Sequence, residues 1–209
     1  MQLRKRLFAI ALAGVFLMAA GSGVNAANML VDPSFEQLGT WTYFNNAYHE
    51  WGNGYQFVPR TGNGLVSMYG NWWGVFNVSG VFQEFPAVAG ETFEMSSSAR
   101  HFSGDAMSAD GVDDNWVVQK IAFFDAANIE IGGADSRILD GTYPTDTWHD
   151  AAMIFSTAPA GTVKVQALIL YLQPMWDTGA AHIDDVYFAR RGPVGTENST
   201  WGKVKSLYR

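Results

Sequence analysis

The sequence has 209 residues, and its length, composition and charge already exclude several classes of protein. It contains no cysteine, so neither a disulfide nor a thiolate zinc site can hold the fold. Residues 27–189 carry five lysines and arginines against 19 aspartates and glutamates, a net charge near −14. Such a surface repels phosphate backbones, and we therefore expect no nucleic-acid partner.

The first 26 residues have the pattern of a secretory signal peptide. A basic start, MQLRKR, precedes the apolar run LFAIALAGVFLMAA, and small residues lead up to Ala26. The alternative is an uncleaved signal anchor. No later run approaches the ~20 apolar residues that a spanning helix needs. We therefore expect a mature chain without a transmembrane span, either secreted or held at the cell surface.

Residues 27–189 read as a series of short β-strands that form one domain. ETFEMSSSAR (91–100) and TVKVQALILYL (162–172) alternate with period two, and the second run places Val163 and Val165 on its inward face. WVVQKIAFFDA (116–126) and AAMIFST (151–157) are β-branched and aromatic runs of strand length. Turn residues separate these runs, and no long helical period is present. The pattern predicts an all-β fold, a jelly-roll β-sandwich.

The stretch YGNWWG (69–74) contains two adjacent tryptophans between glycines. If residues 64–78 are extended, Trp72 and Phe76 face the core, whereas Tyr69, Asn71 and Trp73 face outward. A bulge at a glycine would reverse this assignment. An outward tryptophan beside an amide suits a sugar, because aromatic rings stack on pyranose faces. The alternative is that both rings are ordinary core residues.

Further side chains are candidates for the same sugar site. Gln83 and Arg100, which we expect on neighbouring strands, would supply polar contacts, and Trp116 and the stretch Tyr48–Trp51 would supply additional aromatic surface.

The stretch HIDDVYF (182–188) contains a carboxylate that we expect to be buried. Asp184 would share a face with Val186 and Phe188, which look core-facing. A buried carboxylate needs hydrogen bonds, a cation or a raised pKa. The acidic loop with Asp105, Asp110, Asp113 and Asp114 is a weaker calcium candidate, and its alternative is a solvated loop.

Four segments, in this order, resemble one group of proteins. They are NMLVDPSFEQLGTW, GVFQEFPAVAGETFEMSSSAR, DTWHDAAMIFSTAPAGTVKVQALI and AHIDDVYFAR. The chain resembles the bacterial jelly-roll carbohydrate-binding modules over about residues 28–189. The resemblance implies a polysaccharide or surface glycan as partner and an aromatic contact near YGNWWG. It also implies a structural calcium ion bound by Asp32, Glu36 and Asp184; the alternative is that Asp184 is bonded to backbone amides without a metal.

Residues 190–209 form a basic tail. A linker precedes Thr200, which would cap a short helix with Trp201, Val204 and Leu207 or Tyr208 on one face. The tail suits surface attachment, sorting or docking, and a disordered end is the alternative.

These observations favour a secreted, non-catalytic module that binds carbohydrate. The main alternative is a cell-surface structural or adhesive module without a sugar site. A small glycan-active enzyme is a third hypothesis, although the sequence has neither a G-x-S-x-G nor an H-E-x-x-H motif.

The signal pattern predicts cleavage after Ala26, because small residues precede that position. N-terminal sequencing of the secreted protein should begin at Ala27. A sequence beginning at Met1 would instead support the signal anchor.

Overall fold

A computed structural model describes residues 26–71 and 73–192. The predictions for residues 1–25, for Trp72 and for the tail from residue 193 concern positions outside the described residues. The last strand continues to Arg191, two residues beyond the domain boundary that we expected at residue 189.

Two antiparallel sheets pack face to face, so the predicted all-β jelly-roll sandwich is confirmed. The five-stranded sheet has the order β1-β4-β10-β6-β7, and the six-stranded sheet has the order β2-β3-β11-β5-β8, with β9 paired to β5. Within the described ranges, no helix is long and apolar enough to cross a membrane. The strands are β1 (Thr42–Phe44), β2 (Ala47–Trp51), β3 (Gly64–Tyr69), β4 (Asn77–Pro86), β5 (Thr92–Arg100), β6 (Trp116–Phe124), β7 (Glu130–Asp140), β8 (His149–Asp150), β9 (Ile154–Thr157), β10 (Lys164–Gln173) and β11 (Ala180–Arg191), and a 3₁₀ turn spans Ser103–Asp105.

Strand β10 lies at the centre of the five-stranded sheet and pairs with both β4 and β6. Its residues alternate as predicted: Val165, Ala167, Ile169 and Tyr171 are fully buried between the sheets. The prediction that Val163 faces inward is wrong, because its side chain is 46% exposed. The strand begins only at Lys164, and Val163 precedes it.

The other predicted strands are only partly correct. β5 and β6 match their predicted runs. The run 151–157 gives only the four-residue strand β9. β7, with the sequence EIGGADSRILD, was not predicted, because Gly132 and Gly133 and its charged residues hide the alternation.

Residues 70–71 and 73–76 lie in a loop between β3 and β4, so the prediction of an extended segment over 64–78 is wrong. Phe76 is 60% exposed rather than buried in the core. Gly74 has φ +68°, a left-handed conformation that ends strand geometry and favours glycine.

The N-terminal turn is held by the side chain of Asp32. Its two carboxylate oxygens accept hydrogen bonds from the backbone N–H groups of Glu36 (2.7 Å) and Gln37 (2.8 Å). The turn places Phe35, which is fully buried, with its ring centroid 4.9 Å from that of Trp41. These motif residues therefore build the edge of the core.

Strand β11 contains a bulge between Asp184 and Tyr187. The bulge reverses the alternation, so Ile183 and Val186 both belong to the core. Asp184 is fully buried, as predicted, but it does not share a face with Val186 and Phe188. It lies on the other face of the six-stranded sheet.

The loop 52–63 reaches the carboxylate of Asp184. Its oxygens accept hydrogen bonds from the backbone N–H groups of Arg60 (2.7 Å), Thr61 (3.0 Å) and Asp185 (2.7 Å). The Arg60 guanidinium group lies 2.6 Å from the carboxylate of Asp185. Burial nevertheless raises the pKa of Asp184 to about 6.

This raised pKa predicts how Asp184 affects stability. The folded chain holds the Asp184 proton more tightly than the unfolded chain, so this group makes the protein less stable as pH rises from about 4 to about 6. Between pH 4 and pH 7, wild type should lose about 2 kcal/mol of unfolding free energy relative to Asp184→Asn. Urea unfolding of both proteins across this range measures the difference. The opposite trend would show that the three N–H bonds outweigh burial.

Candidate functional site

Large apolar side chains are exposed on two loops at one end of the sandwich. The loop 70–76 follows β3, and the loop 174–179 follows β10. Trp73 is 77% exposed and Trp176 is 64% exposed. We call the exposed group on these loops the apical aromatic patch; it comprises Trp73, Val75, Phe76, Met175 and Trp176.

Gln173, the last residue of β10, joins the two loops. Its side chain is fully buried, and its Oε1 atom accepts a hydrogen bond from the backbone N–H of Asn71 (2.8 Å). Its Nε2 atom donates to the carbonyl of Asp177 (2.5 Å). Gly70 permits this contact, because a Cβ there would lie 1.9 Å from Oε1 of Gln173.

The ring of Trp176 packs directly against Gly74. A Cβ atom at Gly74 would lie 2.3 Å from the ring, so only a glycine allows the tryptophan to approach this closely. The two loops are therefore joined by a buried amide and by a ring-to-backbone contact, which fixes the position of Trp176.

Tyr69 extends the aromatic surface onto the six-stranded sheet. Its ring lies 5.6 Å from that of Tyr48, and the planes are inclined by 23°. Tyr48 is 44% exposed. Tyr69 immediately precedes the loop 70–76, so this stacked pair borders the apical aromatic patch.

The structure brings together three of the predicted sugar-binding residues and separates others. Tyr69, Asn71 and Trp73 lie at the apical end, whereas Trp72 is outside the described residues. Trp116 begins β6 on the five-stranded sheet, where it pairs with Leu172 near the apical end of β10, and the Arg137 guanidinium carbon lies 4.9 Å from its ring centroid.

Gln83 and Arg100 lie on different sheets, so the prediction that they occupy neighbouring strands is wrong. Both side chains are buried. The amide of Gln83 is occupied by Val31, whose N–H donates to it (3.0 Å) and whose carbonyl accepts from it (2.6 Å). Arg100 is covered by the loop 52–63 and pairs with Asp146 at 3.1 Å. We therefore leave both residues out of the candidate site.

Trp176 and Phe76 were not singled out by sequence reasoning. Trp176 occurs in the short stretch QPMWDTG, which follows a predicted strand and contains turn residues. That placement on a tight loop was the available signal, since a large aromatic residue on a tight loop has few ways to be buried. Phe76 was predicted to face the core, because the loop 70–76 was predicted to be an extended strand.

Three carboxylates lie beside the apical aromatic patch. One oxygen each from Asp110, Asp114 and Asp177 lies within 4.8 Å of the others. Burial and the charges of Asp110 and Asp114 raise the pKa of Asp177, the residue after Trp176. The site thus combines exposed rings with nearby acceptor oxygens.

The residues predicted to bind calcium do not form such a group. Among the described residues, the cluster of Asp110, Asp114 and Asp177 is the only such set of three. The N-terminal turn does meet the closing strand, where Val186 N–H donates to the Pro33 carbonyl (2.9 Å).

Each predicted calcium ligand instead accepts hydrogen bonds from backbone N–H groups. Glu36, for example, binds the N–H groups of Asn63 (2.8 Å) and Gly64 (3.0 Å). A calcium ion at Asp32, Glu36 and Asp184 would have to replace these bonds, so the arrangement does not fit it as it stands. Calcium binding stays a prediction.

The fold is shared with known proteins, whereas the sequence is not. No family model matches the chain, and no curated protein sequence matches it. The structure of TmCBM61 in complex with beta-1,4-galactotriose has a TM-score of 0.53 at 14% identity, over 79% of this chain and 100% of that chain. The chain thus has the jelly-roll fold of carbohydrate-binding modules.

Two further structures show that this fold occurs in different settings. The apo form of a cyclase from Fischerella sp. has a TM-score of 0.53 at 10% identity, over 78% of this chain and 95% of that chain. The CBM22-1–GH10 modules of Clostridium thermocellum xylanase 10B, complexed with xylohexaose, have a TM-score of 0.50 at 16% identity. The match covers 80% of this chain and 29% of that chain. At these identities the likeness concerns the fold alone.

A chelator experiment tests the calcium prediction. If Asp184 binds calcium, the ion should stabilise the fold by about 2.7 kcal/mol at a hundredfold excess over Kd and so raise the thermal midpoint. EDTA should reverse this rise. Asp184→Asn should abolish this response, while the matched variant Asp114→Asn should keep it. Loss of the response in Asp114→Asn alone would place the ion in the acidic loop. A thermal midpoint that neither calcium nor EDTA changes would contradict calcium binding.

Proposed function

We propose that this chain is a secreted, non-catalytic module that binds a poly- or oligosaccharide through the apical aromatic patch. The observation that carries the proposal is the exposure of Trp73 and Trp176 on loops held together by Gln173. The signal pattern of residues 1–26 supports secretion, and the fold shared with TmCBM61 supports a carbohydrate ligand.

Removing the apolar surface of an exposed tryptophan from water is favourable in free energy, and a sugar ring can provide the surface that covers it. Covering about 100 Å² of apolar ring surface contributes roughly 2.5 kcal/mol. The apolar C–H face of a pyranose can lie on an indole ring while its hydroxyl groups stay hydrated or bond to nearby polar groups. Asn71 and the carboxylate of Asp177, on the same two loops, supply such groups.

The patch is suited to binding because its loops are already fixed. The buried amide of Gln173 holds a backbone group from each loop, and Gly74 supports the ring of Trp176. A site that is ordered before the ligand arrives loses less conformational entropy on binding. The flat, exposed rings favour an extended glycan chain over a small enclosed ligand.

The proposal of a non-catalytic role rests on the residues rather than on the fold, since the same fold occurs in a cyclase. The exposed rings offer stacking, and the nearby acidic oxygens lie in one tight cluster. A glycosidase would need two carboxylates on opposite sides of a scissile bond, about 5–9.5 Å apart. Turnover of any glycan that binds would contradict this part of the proposal.

Substitution of the exposed tryptophans tests the site. Trp73→Ala and Trp176→Ala should each weaken binding to oligosaccharides such as galactan and xylan fragments, measured by calorimetry after a glycan-array screen. Trp73→Ala should change stability by less than about 0.5 kcal/mol, because the ring is exposed. Trp51→Ala is the matched control, since Trp51 is 50% exposed at the far end of β2 and should leave affinity unchanged.

Two results would contradict the proposal. If the control and the two patch variants lose affinity equally, binding does not depend on the apical aromatic patch. If the wild type binds no glycan, the hypothesis of a structural or adhesive module explains the protein better.

A further inference from the structure

The outer surface of the five-stranded sheet is unusually apolar. Because the inward residues of β10 are fully buried, Leu168, Leu170 and Leu172 point to the opposite, solvent side. Each is only half-buried. Side chains from neighbouring strands continue this surface, which we call the outer apolar face; it comprises Phe44, Phe82, Trp116, Val118, Leu168, Leu170 and Leu172, and Lys120 borders it beside Leu168.

The strand register shows that this face is continuous. Phe44, Gly80, Leu170 and Val118 are direct partners across four strands. A Cβ on Gly80 would lie 2.7 Å from the Phe44 ring and 3.0 Å from a methyl group of Leu170, so these two side chains meet over the glycine. These partly exposed apolar side chains form one continuous surface that a further apolar segment can cover.

The last described residues lie near one end of this face. Arg190 donates a hydrogen bond to the carbonyl of Pro86 (3.0 Å), so the last described residues lie beside the end of β4. Phe82 lies four residues back along β4, about 13 Å away. Residues 193–199 can span up to about 23 Å when extended. The segment from Thr200 can therefore reach the face.

The tail has the complementary pattern. Trp201, Val204 and Tyr208 would share one face of a helix. A ten-residue helix is about 15 Å long, and the face extends for about the same length along β10. So short a helix is unstable alone and requires an apolar surface to pack against.

Charge and tethering favour the tail over other occupants. Residues 193–209 carry three basic side chains and one acidic side chain, whereas the domain is strongly acidic. Asp135, beside the face, is exposed, whereas the two basic residues at the face, Lys120 and Arg137, are paired with Glu130 and Asp140. A segment tethered by a short linker has an effective concentration in the millimolar range, far above that of a second copy in dilute solution.

We propose that residues 200–209 dock on the outer apolar face of their own chain, with Trp201 and Val204 against Leu168, Leu170 and Leu172. The docked tail covers apolar surface on the five-stranded sheet and leaves the apical aromatic patch free.

Disulfide trapping in the full chain tests this, because the natural sequence has no cysteine to interfere. Val204→Cys is combined in turn with Leu168→Cys, Leu170→Cys and Leu172→Cys. A disulfide forms only when the Cα atoms approach within about 7 Å. At least one pair should close within the chain under mild oxidation, as measured by mass spectrometry. Adding Trp201→Ala should slow that closure.

The control pair joins Val204→Cys to Phe155→Cys. Phe155 is 49% exposed and lies on the six-stranded sheet beside Arg191, the strand residue that precedes the tail segment. This pair should close more slowly than the best β10 pair. Equal closure rates, or no closure of any β10 pair, would overturn the proposal. A covalent dimer of the single variant Leu170→Cys, forming faster than any intrachain link, would also overturn it and identify a second copy as the occupant.

Discussion

The position of β10 along its neighbours is the constraint on which the rest of the structure depends. Hydrophobic alternation sets this register in the first half of the strand, where Lys164 and Gln166 occupy outward positions and a shift by one residue would bury them. Further along, the outward positions carry leucines and the inward positions carry alanine and isoleucine, so a shift there would exchange two apolar sets. Polar contacts at the end of the strand reinforce the register. The Tyr171 hydroxyl donates to the Gly179 carbonyl at 2.6 Å, and Gln173 holds a backbone group from each apical loop.

Side-chain acceptors hold loops of this chain, which has no disulfides. Asp32, Glu36 and Asp184 each bind two or more backbone N–H groups, and Gln83 binds both backbone groups of Val31. Asp184 and Gln83 are buried, where a donor without a partner would cost about 1–3 kcal/mol, while Asp32 and Glu36 are partly exposed and their bonds contribute less. The segments that resemble those of carbohydrate-binding modules are therefore explained mainly by folding. They say less about the ligand.

Sequence reasoning succeeded where side-chain alternation is strong. β5, β6 and most of β10 followed from their apolar period, and the N-terminal turn meets the closing strand as the resemblance implied. It failed where glycine or a bulge breaks the period. Gly70 and Gly74 turn an apparent strand into a loop, and the bulge after Asp184 moves that carboxylate to the other face of its sheet. Within the candidate site, Trp73 is exposed as expected, but the expectation rested on an extended strand, whereas the residue lies on a loop. The position of Trp176 was not predicted, because it depends on the contact with Gly74, which is about a hundred residues away in the sequence.

The shared fold does not choose between a binding module and an enzyme, so function must be argued from surfaces that this chain builds for itself. The outer apolar face and the apical aromatic patch both depend on β10. Its outward leucines form the centre of the face, and its terminal Gln173 orients the loop that carries Trp176. The two surfaces differ in what they can bind. The flat sheet face has no exposed tryptophan at its centre and suits a packed segment of polypeptide. The apical aromatic patch has two exposed indole rings with amide and carboxylate groups beside them, which are the groups that recognise a sugar. The sandwich can therefore hold its own tail on one surface while the other stays open to a glycan.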